Sequence, residues 1–188
     1  MSSNLRLFTK AIYGMDHVVR LADPAAWGNM SPCPGWTARH VLGHVNAIQR
    51  YQESLILGTE PTMNPMTDPD RLVGVDPGAT WAATRDAIVE ALDHDGVLHR
   101  TVTNWSGPTT VDDMIGWNIV DTSTHTWDLA RALGVDDRLD PEQVQHVTVT
   151  FGLRAEQLRE YGMVGPEVMV TDGASAQTRM LALLGRVG

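Results

Sequence analysis

The sequence predicts an all-α chain: a four-helix bundle followed by a short C-terminal helical extension. Three observations carry this. Apolar residues recur at three- and four-residue spacing in four long segments, the period of helices buried along one face. The segments begin and end at residues suited to helix termini. The connections at 59–77 and 93–109 are long enough to cross a bundle rather than only turn back. Four amphipathic helices bury their stripes most simply against one another.

Each element follows from local residues. Ser3 is placed as the N-cap of a first helix in which Leu5, Phe8, Ile12, Met15, Val18 and Val19 form the stripe, and the helix ends before "ADPAAW". The segment "MSPCPGW" (30–36) is a turn. A second helix runs over about 37–57, with Val41, Leu42, Val45, Ile48, Tyr51, Leu55 and Ile56 apolar and Gly58 at its C-terminus. Four prolines in 59–77 forbid a regular helix there. A third helix covers about 79–92, and 93–109 is irregular with a short strand around 98–102. Thr110 caps a fourth helix that stops at Gly134. Asp140 followed by Pro141 starts a fifth helix, expected to reach about 161, and a last one covers about 174–184. The expected organisation is one domain over 1–188, with the bundle at about 3–134 and the extension at about 140–188.

Composition narrows the function. The net charge is −9, with no run of Lys or Arg, which argues against a phosphate-backbone grip on nucleic acid. Cys33 is the single cysteine, so no intramolecular disulfide forms. The first residues, "MSSNLRLFTK", lack an apolar signal core, and no window approaches the ~20 apolar residues of a membrane span. The expectation is a cytoplasmic protein whose partner is a small molecule, with no membrane and no nucleic acid.

The chemistry concentrates in "DTSTHTWDLARALG" (121–134). Asp121 and His125, four residues apart, share a helical face, and Asp128 falls near it. Such a pair is a salt bridge, a capping contact or two legs of a metal site. His40 and His44 form an H-x-x-x-H pair without the Glu of a zincin. His44 lies inside the apolar stripe of the second helix, and His125 also has apolar neighbours. His44, Asp121 and His125 therefore make a possible set of two nitrogen ligands and one oxygen ligand, which suits zinc or a similar divalent ion with a position left open. The bland alternative is that each buried His is satisfied by one hydrogen bond. Asp128 either takes the other N–H of a ligating His or pairs with Arg131 or Arg39. Trp36 and Trp127 either frame the site or, the plainer reading, pack; Cys33 reads as a packing residue rather than a catalytic thiol, with no cation evident beside it.

"PCPGWTARHVLGHV" and "DTSTHTWDLARALG" resemble the two signatures of the mycothiol-dependent maleylpyruvate isomerase-like metal-binding family, within the DinB/YfiT superfamily. The tail "GASAQTRMLALLGRVG" resembles the end of one subgroup, so the similarity spans nearly the whole chain. The resemblance implies a DinB-like four-helix bundle of up-down-down-up type and metal ligation by His44, Asp121 and His125. It implies zinc first, with nickel or cobalt as alternatives, and mycothiol or a related small thiol as cosubstrate. Dimers are common in the superfamily, so a homodimer is implied as a possible partner. The characterised isomerase carries Glu at the position of Asp121 and has a larger C-terminal domain. The expected activity is thiol S-transfer or isomerisation on a small electrophile. The rivals are a metal-dependent hydrolase and a non-catalytic small-molecule-binding protein, whose pocket the loop around Met63 and Met66 would line.

Overall fold

The computed structural model describes residues 2–61 and 69–188, and the expectation for Met63 and Met66 lies outside them. Four long helices are present: α1 (Ser3–Arg20), α2 (Ala38–Leu57), α3 (Pro77–Leu92) and α4 (Val111–Leu133). A small antiparallel hairpin, β1 (Thr101–Asn104) and β2 (Gly107–Thr110), precedes α4. The extension contains α5 (Pro141–Gly152), α6 (Ala155–Glu160) and α7 (Ala176–Leu183). No helix among the described residues is long and apolar enough to cross a membrane.

The fold is DinB-like. Helix α1 packs on α4 and α3, and α2 packs on α3 and α4, so α1 and α2 lie across the ring from each other. The segments joining α1 to α2 and α3 to α4 therefore cross an end of the bundle. One apolar cluster fills the ring, with Phe8, Ile12, Met15, Leu42, Ile56, Trp81, Ile88, Ile115 and Leu129 fully buried.

The helix ends obey local chemistry. Ser2, one residue earlier than expected, accepts from the Leu5 N–H and caps α1. Thr37 and His40 form a capping box on α2, and Gly58, at φ 71°, closes it. Thr110 accepts from the Asp113 N–H at the start of α4, and Gly134, also at φ 71°, ends it. Two expectations are corrected. The strand foreseen around 98–102 is a hairpin of two strands at 101–110. The fifth helix breaks after Gly152, a weak point in any helix interior, and resumes at Ala155.

The extension has its own apolar cluster. Val144, Val147, Phe151, Met180 and Leu181 pack with Val120 and Trp127, both on α4. Helix α4 thus faces two cores, which explains why almost every residue along its middle is buried.

Candidate metal centre

Helices α2 and α4 set the site between them. A buried polar ladder fixes their register: Gln49 donates to Asn118 Oδ1 and Thr122 Oγ1, both at 3.0 Å, and Asn118 donates to Gln49 at 2.8 Å and Gln52 at 2.7 Å. Beyond this ladder, His44 on α2 meets Asp121 on α4, with Nε2 3.3 Å from Oδ1. His125 lies one turn further along α4, its Nε2 3.6 Å from the same oxygen. The two imidazoles meet edge to face, their centroids 4.9 Å apart.

His40, the other half of the H-x-x-x-H pair, is spent on capping: its Nδ1 accepts from the Thr37 N–H at 3.2 Å. Trp127 is a packing residue in the extension's cluster. Trp36 is more than packing, because its ring lies 5.2 Å from that of His44 and 6.2 Å from that of His125. The turn that carries it follows from sequence. Pro34 and Gly35 occupy the central positions, Gly35 has φ 78°, and the Trp36 N–H donates to the Cys33 carbonyl, the pattern of a type II turn. That turn sets Cys33 and Trp36 over the histidines.

Asp128 takes neither of the arginines considered from sequence. Arg39 donates to the Gly74 carbonyl, and Arg131 pairs with Asp137. Asp128 instead accepts from His125 Nδ1 at 2.9 Å and from the Arg186 guanidinium, Nε at 2.8 Å and Nη2 at 2.7 Å. Cys33 Sγ donates to the same carboxylate at 3.2 Å, with Arg186 Nη2 3.7 Å from the sulfur. So the thiol does have a cation beside it, contrary to expectation. Arg186 was missed because it lies 58 residues from Asp128, and no local pattern marks it. The tail folds back through a glycine turn: the Gly185 N–H donates to the Ala182 carbonyl and the Arg186 N–H to that of Leu181. Gly185 has φ 77°, and a Cβ there would stand 3.0 Å from the Gly165 backbone, so only glycine fits.

Electrostatics separate the groups. Burial pushes the Asp121 carboxyl up, but His44 and His125 outweigh it and hold it below the usual carboxylate range. Burial also opposes ionisation of Asp128, and the hydrogen bonds from His125 and Arg186 overcome it, so Asp128 is held far below that range. A carboxylate only accepts, so His125 carries its proton on Nδ1, and in the neutral ring the Nε2 lone pair faces Asp121. Burial, together with the Asp128 charge, pushes the Cys33 thiol up to about 12. The protonated thiol is therefore the form of Cys33 favoured at neutral pH.

The donor set fits a divalent ion. Ligand atoms about 2.1 Å from a tetrahedral ion stand about 3.4 Å from one another. The donor atoms of His44, Asp121 and His125 lie within 4.8 Å of one another, and two of the separations are 3.3 and 3.6 Å. Asp121 Oδ2 is buried without a hydrogen-bond partner. Its other oxygen, Oδ1, lies between the two imidazoles, and an unmatched oxygen on that buried carboxylate is what a cation would satisfy. These residues line a cleft of about 1340 Å³, together with Cys33, Trp36 and Arg186.

The sequence model of the family described as the mycothiol maleylpyruvate isomerase N-terminal domain matches residues 8–130. Two uncharacterised proteins of Mycobacterium tuberculosis, from strains CDC 1551 and H37Rv, are each 31% identical over 140 residues, covering 72% of this chain and 70% of theirs. Two crystal structures of the mycothiol-dependent maleylpyruvate isomerase share the fold. A histidine-to-alanine variant superposes with a TM-score of 0.59 at 17% identity, and a second structure of the enzyme with 0.51 at 18%. Each alignment covers 90% of this chain and 75% of the other. The chain belongs to the mycothiol maleylpyruvate isomerase N-terminal domain family.

Proposed function

We propose that this chain binds a divalent ion through His44, Asp121 and His125 and catalyses thiol-dependent S-transfer or isomerisation of a small electrophile. The observation that carries the reading is the convergence of these three donors at the cleft, with Asp121 Oδ2 unmatched and the far nitrogen of His125 held by Asp128. Zinc is the ion expected, with nickel or cobalt as alternatives, and the family name favours mycothiol as the thiol.

A divalent ion held by these residues would supply Lewis acidity, which favours the thiolate form of a small thiol at neutral pH. The chain's own residues prepare the place. Asp128 fixes the ring and tautomer of His125, the hydrogen bond that holds a metal ligand in orientation. Arg186 keeps Asp128 ionised and supported on its other side. Trp36 packs beside both imidazoles and keeps water from that flank. The S–H of Cys33 points at Asp128, which keeps a competing thiol occupied. In isomerisation the thiolate adds to a carbon of the electrophile's double bond, the π bond opens to a single bond that rotates, and the thiolate leaves as the double bond re-forms; in transfer the adduct is kept because the opened carbon takes up a proton instead.

The test is metal content by ICP-MS on protein purified without a histidine tag, followed by turnover with and without mycothiol. The expected result is about one divalent ion per chain, lost in His125→Ala, and turnover that requires the thiol. Native protein that neither carries nor takes up zinc, nickel or cobalt would sink the reading. Hydrolysis that proceeds without thiol would replace it with a metal hydrolase.

A further inference from the structure

The cleft is larger and more aromatic than its donor residues require. Its mouth is built from two parts of the chain that have no role at the metal centre. One is the tip of the β1–β2 hairpin, where Trp105 is 71% exposed. The other follows α6, where Tyr161 is 63% and Met163 48% exposed. The hairpin does not need Trp105 for its turn. Asn104 Oδ1 accepts from the N–H of Ser106 at 2.9 Å and from its hydroxyl at 2.8 Å, and Gly107 takes the positive φ of 109°. Three exposed apolar side chains lining one cleft, Trp105, Tyr161 and Met163, point to a binding surface where a lone exposed indole would not.

The charges select what that is. Apart from the imidazoles, Arg186 is the one cation among the described lining residues. Its nitrogens are already used: Nε and Nη2 on Asp128, and Nη1 on the Leu184 carbonyl at 3.1 Å. Among the described lining residues no unpaired side-chain cation is left, so a second acidic group, beyond one that the proposed divalent ion could hold, finds no partner there, and the chain as a whole is anionic. The deeper walls add Trp36, Tyr51 and Met114.

We infer that the electrophile taken by this cleft is an uncharged aromatic molecule, stacked against Trp105 and flanked by Tyr161 and Met163, and not a small dicarboxylic acid of the maleylpyruvate kind. Flat rings gain most from such walls, because stacking adds to the area they bury. The inference rests on the proposed function only in treating the cleft as the place where electrophile meets thiol.

The probe is N-phenyl-1-naphthylamine, an uncharged aromatic whose emission rises in apolar surroundings. It is titrated into the full-length wild type and into Trp105→Ala, Trp105→Phe and His44→Ala, with maleate as competitor. The wild type is expected to give a saturable rise, with binding about tenfold weaker in Trp105→Ala and retained in Trp105→Phe. Maleate is expected not to displace the probe. Failure of the probe to bind the wild type, equal affinity in Trp105→Ala, or displacement by low concentrations of maleate would each overturn the inference. Retained probe binding in His44→Ala supports it and keeps the two questions apart, since a missing metal ion or missing thiol turnover bears on the proposed function alone.

Discussion

Asp128 has no exposed side-chain surface, yet it stays ionised because His125, Arg186 and Cys33 all donate to it. Replacing it with Asn keeps the shape and removes the charge. Asn also turns an N–H₂ toward a donor on one side or the other, and the buried Arg186 loses its counter-ion. Asp128→Asn is expected to lower stability by about 3–5 kcal/mol, read from denaturant midpoints. Divalent-metal affinity is expected to fall about 10–100-fold in a chelator competition, because His125 loses its orienting acceptor. The pH dependence has a definite sign. A carboxylate whose folded pKa is depressed contributes its stability above the unfolded value and loses it as pH falls toward the folded one. The gap between wild type and Asp128→Asn is therefore full at neutral pH and narrows below about pH 3.9. At this scale the sequence is half legible. His44, Asp121 and His125 stand out because two lie one helical turn apart and the third interrupts an apolar stripe. The partner of Asp128 does not, because Arg186 reaches it only through a glycine turn at the far end of the chain.

The helices were legible where single residues decide their ends. Thr37, Gly58, Thr110, Gly134, Asp140 and Pro141 each do in the fold what their chemistry prescribes. What periodicity does not reveal is the register of one helix against another. Between α2 and α4 that register is held by the Gln49–Asn118–Gln52–Thr122 ladder, whose polar residues interrupt the apolar pattern and look like surface positions until their partners are known. Buried amides pair only in one alignment, so a slip of α2 along α4 strands several donors at once. Asn118→Leu takes the donor away from Gln49 Oε1 and Gln52 Oε1 and leaves Gln49 only its bond to Thr122. The expected cost is about 1–3 kcal/mol in chemical denaturation. A second consequence is specific to the site: because His44 and Asp121 lie on the same two helices, metal affinity is expected to fall although no ligand is changed. An Asn118→Leu protein that is less stable but binds metal as tightly as the wild type would show that the ladder does not hold the site.

The family match ends at residue 130, yet the chain does not behave as a bundle with a loose tail. Val120 and Trp127 turn one side of α4 into a wall of the extension's core, while Ile115, Ile119 and Leu129 serve the ring. On the surface, Arg6 and Lys10 of α1 pair with Glu142 at the start of α5, but these charges are exposed and screened and add little. The docking is mainly apolar, and it is what carries Arg186 to Asp128. Two cores that share one helix should melt together. Phe151 is 2% exposed in the extension's core and is not one of the three proposed ligands, so it reports on this coupling. Phe151→Ala is expected to cost about 3–5 kcal/mol and to shift one cooperative unfolding transition to lower denaturant without splitting it. Two separated transitions, with the early one reporting loss of the extension and the late one unchanged from the wild type, would show instead that the bundle stands alone. In that case the Arg186 contact would be lost whenever the extension opens, and His125 would keep Asp128 as its acceptor without the cation behind it.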